Sequence, residues 1–520
     1  MAPATACTWS RILALVMPWM IGWALGHTDA RATAGFEGSR PNILFILTDD
    51  QGYGDLSLHG HPILQTPNLD QLGREAVRFT DFQVSPTCSP TRAALLTGRH
   101  EFRNGVTHTI LERERLTRSA VTLAQALESA GYATGIFGKW HLGDEPAYQP
   151  DRRGFQEVFI HGGGGIGQTY PGSCGDAPGN TYFDPVILHN GTFERTHGYC
   201  TDVFFAQAMR WIESRRHDHP FFAFITPNAP HAPLQVRPED EARYAGRGLR
   251  PQAAKYLGMV ANLDDNVGRL LHRLAELHLD RQTLVVFMTD NGADGGLLAG
   301  YNAGMRGGKG TAYLGGTRAI SFWRWPGRFA PGECRELSAH IDVLPTLLEL
   351  GGARLTDRLR QQIEGRSLLP LLVAPSSTAG DRLLFTHLGR WPRGADPETA
   401  RYRTCAVRTR QWHLVSPDGD SRPHWQLFDI VADSGETRDV RADHPEVVAD
   451  LALQYDRWWE GVGSGWVNES ATGPRVNPFK ARYWRQFGGG PSEDDLRAMD
   501  LQQNPATRPQ NSPALPVNTR

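Results

Sequence analysis

An α/β fold built on a large, mixed but mostly parallel sheet, flanked by helices, is what this sequence predicts. A smaller C-terminal α+β subdomain accompanies it. Three observations carry the prediction. Short apolar runs recur that end in polar residues, amphipathic helical stretches alternate with them, and the chain changes character near Pro370. Continuous apolar runs of this length read as strands covered on both faces, and their alternation with helices is the pattern of a layered α/β domain.

The first 32 residues hold Arg11, a run of fourteen residues from Ile12 to Leu25, and Ala30-Arg31-Ala32 as a small-residue cleavage candidate. So short a run spans a bilayer poorly, so the stretch reads as a secretory signal peptide, with an uncleaved anchor as the second reading. Cleavage would leave no stable membrane insertion. The mature chain would be secreted or periplasmic, or lysosomal or extracellular in a eukaryote.

The expected catalytic domain covers residues 38–372. Its first strand is "PNILFILTDD" (41–50), ending in two acids; "ATGIFGKWHLG" (133–143), "PFFAFITPNAPHAP" (220–233) and "QTLVVFMTDNGAD" (282–294) repeat the form. Between them lie the helical patterns "AVTLAQALESAG", closed by Gly131, and "YLGMVANLDDNVGRLLHRLAEL". Ligands in such sheets bind beyond the carboxyl ends of the strands, where all these polar clusters fall. "VAPSSTAGD" then reads as a linker. Residues 380–465 follow as the subdomain, with strand candidates "RLLFTHL", "YRTCAVRT", "WHLVS" and "WQLFDI" before the helix "HPEVVADLALQYDRWWEGV". Residues 466–520 read as an extended, partly disordered tail.

A formal net charge of −2 over 520 residues argues against a nucleic-acid partner, which would demand a basic stripe. Cys7 falls in the leader, leaving Cys88, Cys174, Cys200, Cys334 and Cys405 for an oxidising compartment. Cys174 with Cys200, and Cys334 with Cys405, are the candidate disulfides. Cys88 is the odd thiol.

Asp49 and Asp50 leave one strand and Asp290 and Asn291 another, each pair with a glycine close behind (Gly52, Gly292). Taken singly, such residues are turn-makers. Two such exits in one sheet suit a hard divalent cation, Ca²⁺ or Mg²⁺. Lys139 and His141 stand two apart and would point the same way if extended. His231 sits between prolines and Lys309 in a glycine-rich loop. With Arg92 they form a cationic set fit for a tetrahedral oxyanion, although each alone is most often an ordinary surface group.

"CSPTRAALLTGR" (88–99) resembles the signature of the formylglycine-dependent sulfatases, Cys-x-Pro-x-Arg followed by Leu-Thr-Gly-Arg. The resemblance runs through "PNILFILTDDQGYGD", "GYATGIFGKWHLG", "GYCTDVFFAQAMRWIE", "PHAPL", "FMTDNG", "GGKGTAYLGGTR" and "LFDIVADSGETRDV", roughly residues 40 to 460. It implies an alkaline-phosphatase-like fold and hydrolysis of aryl or carbohydrate sulfate esters. It implies that a maturation enzyme oxidises Cys88 to formylglycine, a protein-derived cofactor. Asp49, Asp50, Asp290, Asn291 and residue 88 would hold Ca²⁺, less often Mg²⁺. Arg92 would steady the aldehyde hydrate, and Lys139, His141, His231 and Lys309 would surround the sulfate. His231 or Lys309 would protonate the leaving oxygen, and His141 would deprotonate the second hydroxyl.

Two alternatives stand beside this reading: a phosphonate or phosphate monoester hydrolase of the same superfamily, and a secreted glycan-binding relative without turnover. Specificity falls to the loops 103–116 and 161–185 and to the C-terminal subdomain, with Tyr170 and Tyr182 as stacking candidates. Asn190-Gly-Thr and Asn468-Glu-Ser are glycosylation sequons.

Overall fold

The four apolar runs become the centre of a ten-stranded sheet. We label them β1 (Asn42–Thr48), β2 (Ala133–Lys139), β3 (Phe221–Thr226) and β4 (Thr283–Thr289). Across the sheet the order is Gly332–Cys334, Val77–Phe79, Ser321–Arg324, β4, β1, β3, β2, Glu157–His161, Val186–His189 and Thr192–Arg195. From β4 to Glu157–His161 every neighbour is parallel, while Ser321–Arg324 and Val186–His189 run the other way. The computed structural model describes residues 33–496, apart from 34, 171, 216–218, 296–300 and 494–495. The stretch read as a signal peptide and the end of the tail lie outside the described residues.

Side chains of a strand alternate between faces, and here each face has its own core. Ile43, Phe45 and Leu47 of β1, with Leu284, Val286 and Met288 of β4, join the helices Cys88–Thr97, Leu123–Ser129 and Val343–Gly351. Leu44 and Ile46, with Val285 and Phe287, join Pro67–Arg74, Cys200–Arg215 and Pro251–Glu276. Helices therefore cover both faces, which is why the central strands carry no polar alternation. Gly131 adopts φ 82°, in the left-handed region that ends the helix Leu123–Ser129.

The C-terminal part carries a second sheet of four antiparallel strands, Leu384–His387, Cys405–Arg408, Trp412–Ser416 and Gln426–Asp429, in that order. The helix Pro445–Val462 packs on it through Leu451, Tyr455, Trp459 and Val462. The stretch read as an extended tail holds a ten-residue helix, Pro478–Phe487, whose Phe479 joins the core of the large sheet. Asn477 caps it, accepting from Phe479 N (3.0 Å) and Lys480 N (3.2 Å). No helix among the described residues is long and apolar enough to cross a membrane.

The expected disulfides do not form. Cys88, Cys174, Cys200, Cys334 and Cys405 are all free and buried. Cys334 belongs to the core of the large sheet and Cys405 to that of the C-terminal sheet, so packing separates them. Cys174 donates to Thr109 O at 3.7 Å, while Cys200 opens its helix inside the second core. Burial pushes the thiols of Cys174 and Cys200 well above the usual range. Of the sequons, Asn468 is buried and donates to Gly105 O and Arg115 O, both at 2.8 Å, so its amide is not free to carry a glycan.

Phe45 is fully buried and meets Phe224 edge to face at 5.6 Å. Phe45→Ala is expected to cost about 3–5 kcal/mol, read as a lower thermal midpoint. A midpoint equal to that of the wild type would contradict this packing.

Candidate active site

Parallel pairing of β1 and β4 sets Thr48 opposite Thr289, so Asp49 and Asp290 leave the sheet side by side. Both are fully buried. Asp50 then turns with φ 64°, which a non-glycine residue holds only when its surroundings enforce it. Here Tyr256 OH donates to Asp50 O (2.8 Å) and to Asp55 Oδ2 (2.6 Å), and Gly52 N donates to the same Asp55 oxygen at 2.7 Å. Gly292, behind Asn291, has no room for a side chain: a Cβ there would lie 1.8 Å from Gly315 O.

Cations meet these acids one by one. Lys139, the last residue of β2, donates from Nζ to Asp49 Oδ2 at 2.6 Å. Arg92 stands one turn after Cys88 on the helix Cys88–Thr97 and donates to Asp290 Oδ2 at 2.9 Å; it also lies 3.9 Å from Asp49 Oδ1. Lys309 Nζ donates to Asp50 Oδ2 at 2.6 Å, with His231 Nε2 3.7 Å from the same oxygen. Asn291 Nδ2 donates to Asp50 Oδ1 at 2.8 Å, and the Asp50 amide to Asp290 Oδ1 at 3.1 Å. Cys88 opens its helix beside them: its Sγ and one oxygen each of Asp49 and Asp290 all lie within 4.8 Å of one another.

The histidines arrive by other routes. His141 is not extended; it turns left-handed at φ 59°, and its ring bonds Thr109 O through Nε2 at 2.7 Å. A carbonyl only accepts, so Nε2 carries the hydrogen and Nδ1, buried and without a partner, is left with a lone pair. His231 is the mirror case, with Nδ1 on Ala232 O at 2.5 Å and Nε2 towards Asp50. Thus the ten candidate catalytic and metal-binding residues come together in one cluster, buried except for the half-buried Lys309.

The electrostatics are those of a charge-dense pocket out of water. Burial raises the Asp290 carboxyl to about 7, with the Asp49 charge next in weight and Arg92 opposing. For Asp50 burial acts upward too, but Lys309, His231 and Lys139 together hold it far below the usual carboxylate range. Burial, followed by Lys309, lowers His231 to about 3; burial and Lys139 hold His141 well below its ordinary value. Two buried oxygens, Asp49 Oδ1 and Asn291 Oδ1, have no hydrogen-bond partner. Acids that repel one another beside unpartnered oxygens fit a hard divalent cation, which neither thiolate-rich nor imidazole-rich sites would favour.

Several neighbours carried no signal in the sequence. Thr109 meets His141 through its backbone carbonyl. Gly164 and Gly165 pass so close that an added Cβ would meet His141 Cε1 at 2.8 Å and His231 Nδ1 at 3.2 Å. Tyr182 is not a stacking platform: it is fully buried, and its hydroxyl donates to His231 O at 2.6 Å. Tyr170 remains partly exposed. The C-terminal part grips the Lys309 loop, with Leu314 N donating to Glu436 Oε2 and Tyr313 OH to Gln426 Oε1, both at 2.7 Å.

A family model described as Sulfatase matches residues 41–353, which contain all ten site residues. The chain belongs to the sulfatase family. Its fold is the alkaline-phosphatase-like one of that family, and its class is that of the sulfuric ester hydrolases. The sulfatase is 36% identical to arylsulfatase A of Bos taurus over 480 residues, covering 83% of this chain and 89% of the relative. It is 33% identical to N-acetylgalactosamine-6-sulfatase of Homo sapiens, covering 67% and 68%. Among solved structures, Ps i-CgsB in complex with k-i-k-neocarrahexaose superposes with TM-score 0.73 at 27% identity, over 88% of this chain and 99% of that one.

Gly164→Ala tests the placement of His141. Its methyl must displace the ring, and a misplacement of about 1 Å costs on the order of 10²-fold in turnover while leaving the fold intact. Wild-type kcat in a variant with an unchanged thermal midpoint would show that His141 tolerates the shift.

Proposed function

We propose that this sulfatase hydrolyses aryl or carbohydrate sulfate monoesters with Cys88 converted to formylglycine. In this reading Asp49, Asp50, Asp290, Asn291 and residue 88 hold a divalent cation, Ca²⁺ or Mg²⁺. The observation that carries it is the meeting of three buried acids and four cation-capable side chains around Cys88 at the end of one sheet. The leader makes the chain a secreted or periplasmic one. Its other partner is the maturation enzyme that reads residues 88–92.

When bound, the metal supplies positive charge that offsets the anionic ester and the attacking oxygen. As the hydrated aldehyde, residue 88 would offer two hydroxyls, one as a nucleophile toward sulfur and one as an acid. The chain's own residues do the rest. Arg92, fixed on Asp290, holds position 88 in line with the ester. Lys139, Lys309 and His231 bind the sulfate oxygens and take up charge as it shifts to the leaving oxygen. The sulfate adds negative charge between Lys309 and His231, which offsets the lysines and favours a proton on His231 Nε2. His231, with Lys309 beside it, passes that proton to the leaving alcohol. His141 Nδ1, whose lone pair is free because Nε2–H is committed to Thr109 O, takes the proton from the second hydroxyl.

Protein co-produced with a formylglycine-generating enzyme is expected to show the aldehyde mass at residue 88 and to hydrolyse 4-nitrophenyl sulfate. Cys88→Ala and Cys88→Ser are both expected to lose steady turnover. Sustained turnover by the serine variant near the wild-type rate would refute the need for two hydroxyls. Chelation to a metal-free state, checked by elemental analysis, is expected to lower the rate by orders of magnitude; full activity without metal would overturn the metal assignment.

The two histidines separate by leaving group. His231→Ala should lose more on an alkyl or sugar sulfate than on an activated aryl sulfate, by part of the ~10²–10⁴-fold typical of acid–base groups. His141→Ala acts after the alcohol has left, so it should give a burst of alcohol followed by slow turnover whatever the leaving group. Equal losses across the series with no burst in either variant would refute this division of labour.

A further inference from the structure

A cation outside the expected set reaches the site from the C-terminal part of the chain. Arg390 follows Gly389, and the two adopt φ 60° and 70° in succession, an arrangement that needs external support. That support is present. Gly389 N donates to His387 Nδ1 at 2.8 Å, Arg390 N donates to Thr107 O at 2.9 Å, and a Cβ on Gly389 would lie 2.0 Å from that same carbonyl. The guanidinium then donates from Nη2 to Thr109 Oγ1 at 3.1 Å, on the residue whose carbonyl orients His141.

Its charge is left unanswered. Neighbouring Arg113, Arg115 and Arg393 face Glu469, Glu145 and Glu112. Among the described residues no carboxylate lies within ion-pair distance of Arg390, and its Nε is buried without a hydrogen-bond partner. Burial weighs most on the guanidinium, and the titratable groups whose fields reach it are Cys88, Tyr170 and Asp50, of which Asp50 is the carboxylate. A guanidinium held by a strained backbone, facing the pocket and lacking a counter-ion, is suited to a planar or tetrahedral anion.

We propose that Arg390 is a specificity-determining residue that binds a second anionic group of the substrate, a carboxylate or a second sulfate, next to the ester being cleaved. The proposal rests on the sulfatase reading above and goes beyond it in naming the substrate class. Lys139, Lys309 and His231 are engaged by the scissile sulfate, so a further anion falls to Arg390.

The test compares 4-nitrophenyl sulfate with two analogues, one carrying an ortho carboxylate and one an ortho sulfate, on the matured, metal-loaded enzyme. Arg390→Met is expected to lose kcat/KM on one dianionic probe by about 10- to 100-fold more than on 4-nitrophenyl sulfate, mainly through KM, as loss of a charged hydrogen bond predicts. Whichever analogue shows the excess identifies the anion. Arg390→Lys should restore part of it. Equal losses on all three probes, or none, would overturn the proposal, since a merely structural role would not sort substrates by charge. Wild-type enzyme inert on all three would instead count against the sulfatase reading itself. A thermal midpoint for Arg390→Met close to that of the wild type accompanies the expected result.

Discussion

The structure turns on two carboxylates that have no business being close together. Parallel strands in register carry Asp49 and Asp290 out of the sheet at the same level, both beyond the reach of water. Two such charges repel one another strongly out of water. Lys139 and Arg92 answer them from two further elements, and the position of each of those cations fixes something else: the end of β2 in one case, the start of the helix bearing Cys88 in the other. Removing one partner of a buried pair of this kind typically costs about 3–5 kcal/mol, because the other charge stays behind. The same network that makes the pocket reactive therefore also ties strand, helix and loop to one another.

A second layer of contacts keeps that network in register. Asp55 and Tyr256 hold the left-handed turn at Asp50, and Tyr182 holds the carbonyl of His231. From the far side, Glu436 joins the Lys309 loop to the C-terminal sheet, itself fixed by His413 Nδ1 at 2.7 Å. The smaller sheet is thus part of the site's frame rather than an appendage to it.

The sequence displayed the centre of this molecule well and its rim poorly, for physical reasons. β1 and β4 were legible because strands covered on both faces must be apolar throughout, and Asp49, Asp50, Asp290 and Asn291 stood out against those runs. The ten candidate residues that the structure brings together were legible because each is a side chain with chemistry of its own. Thr109 was not, since it acts on His141 through a carbonyl that any residue owns. Gly164 and Gly165 matter for the volume they do not fill. Tyr182 looked like a ligand platform because burial cannot be read from an aromatic in a glycine-rich loop. The cysteines misled for a related reason: an exported chain invites pairing, yet Cys334 and Cys405 settle in different cores. The helix Pro478–Phe487 was hidden by the glycines and prolines around it.

Cys88 begins a helix whose ten residues are all buried, and it is itself only 3% exposed. The folded chain thus offers no exposed segment around Cys88 on which a modifying enzyme could close. On the proposed function, oxidation of that side chain would have to precede the burial of residues 88–97. The yield of competent molecules would then be set by a kinetic race, not by an equilibrium. Changes that hasten folding of this domain would then leave a growing fraction of folded chains that carry a thiol where the proposed reaction needs an aldehyde.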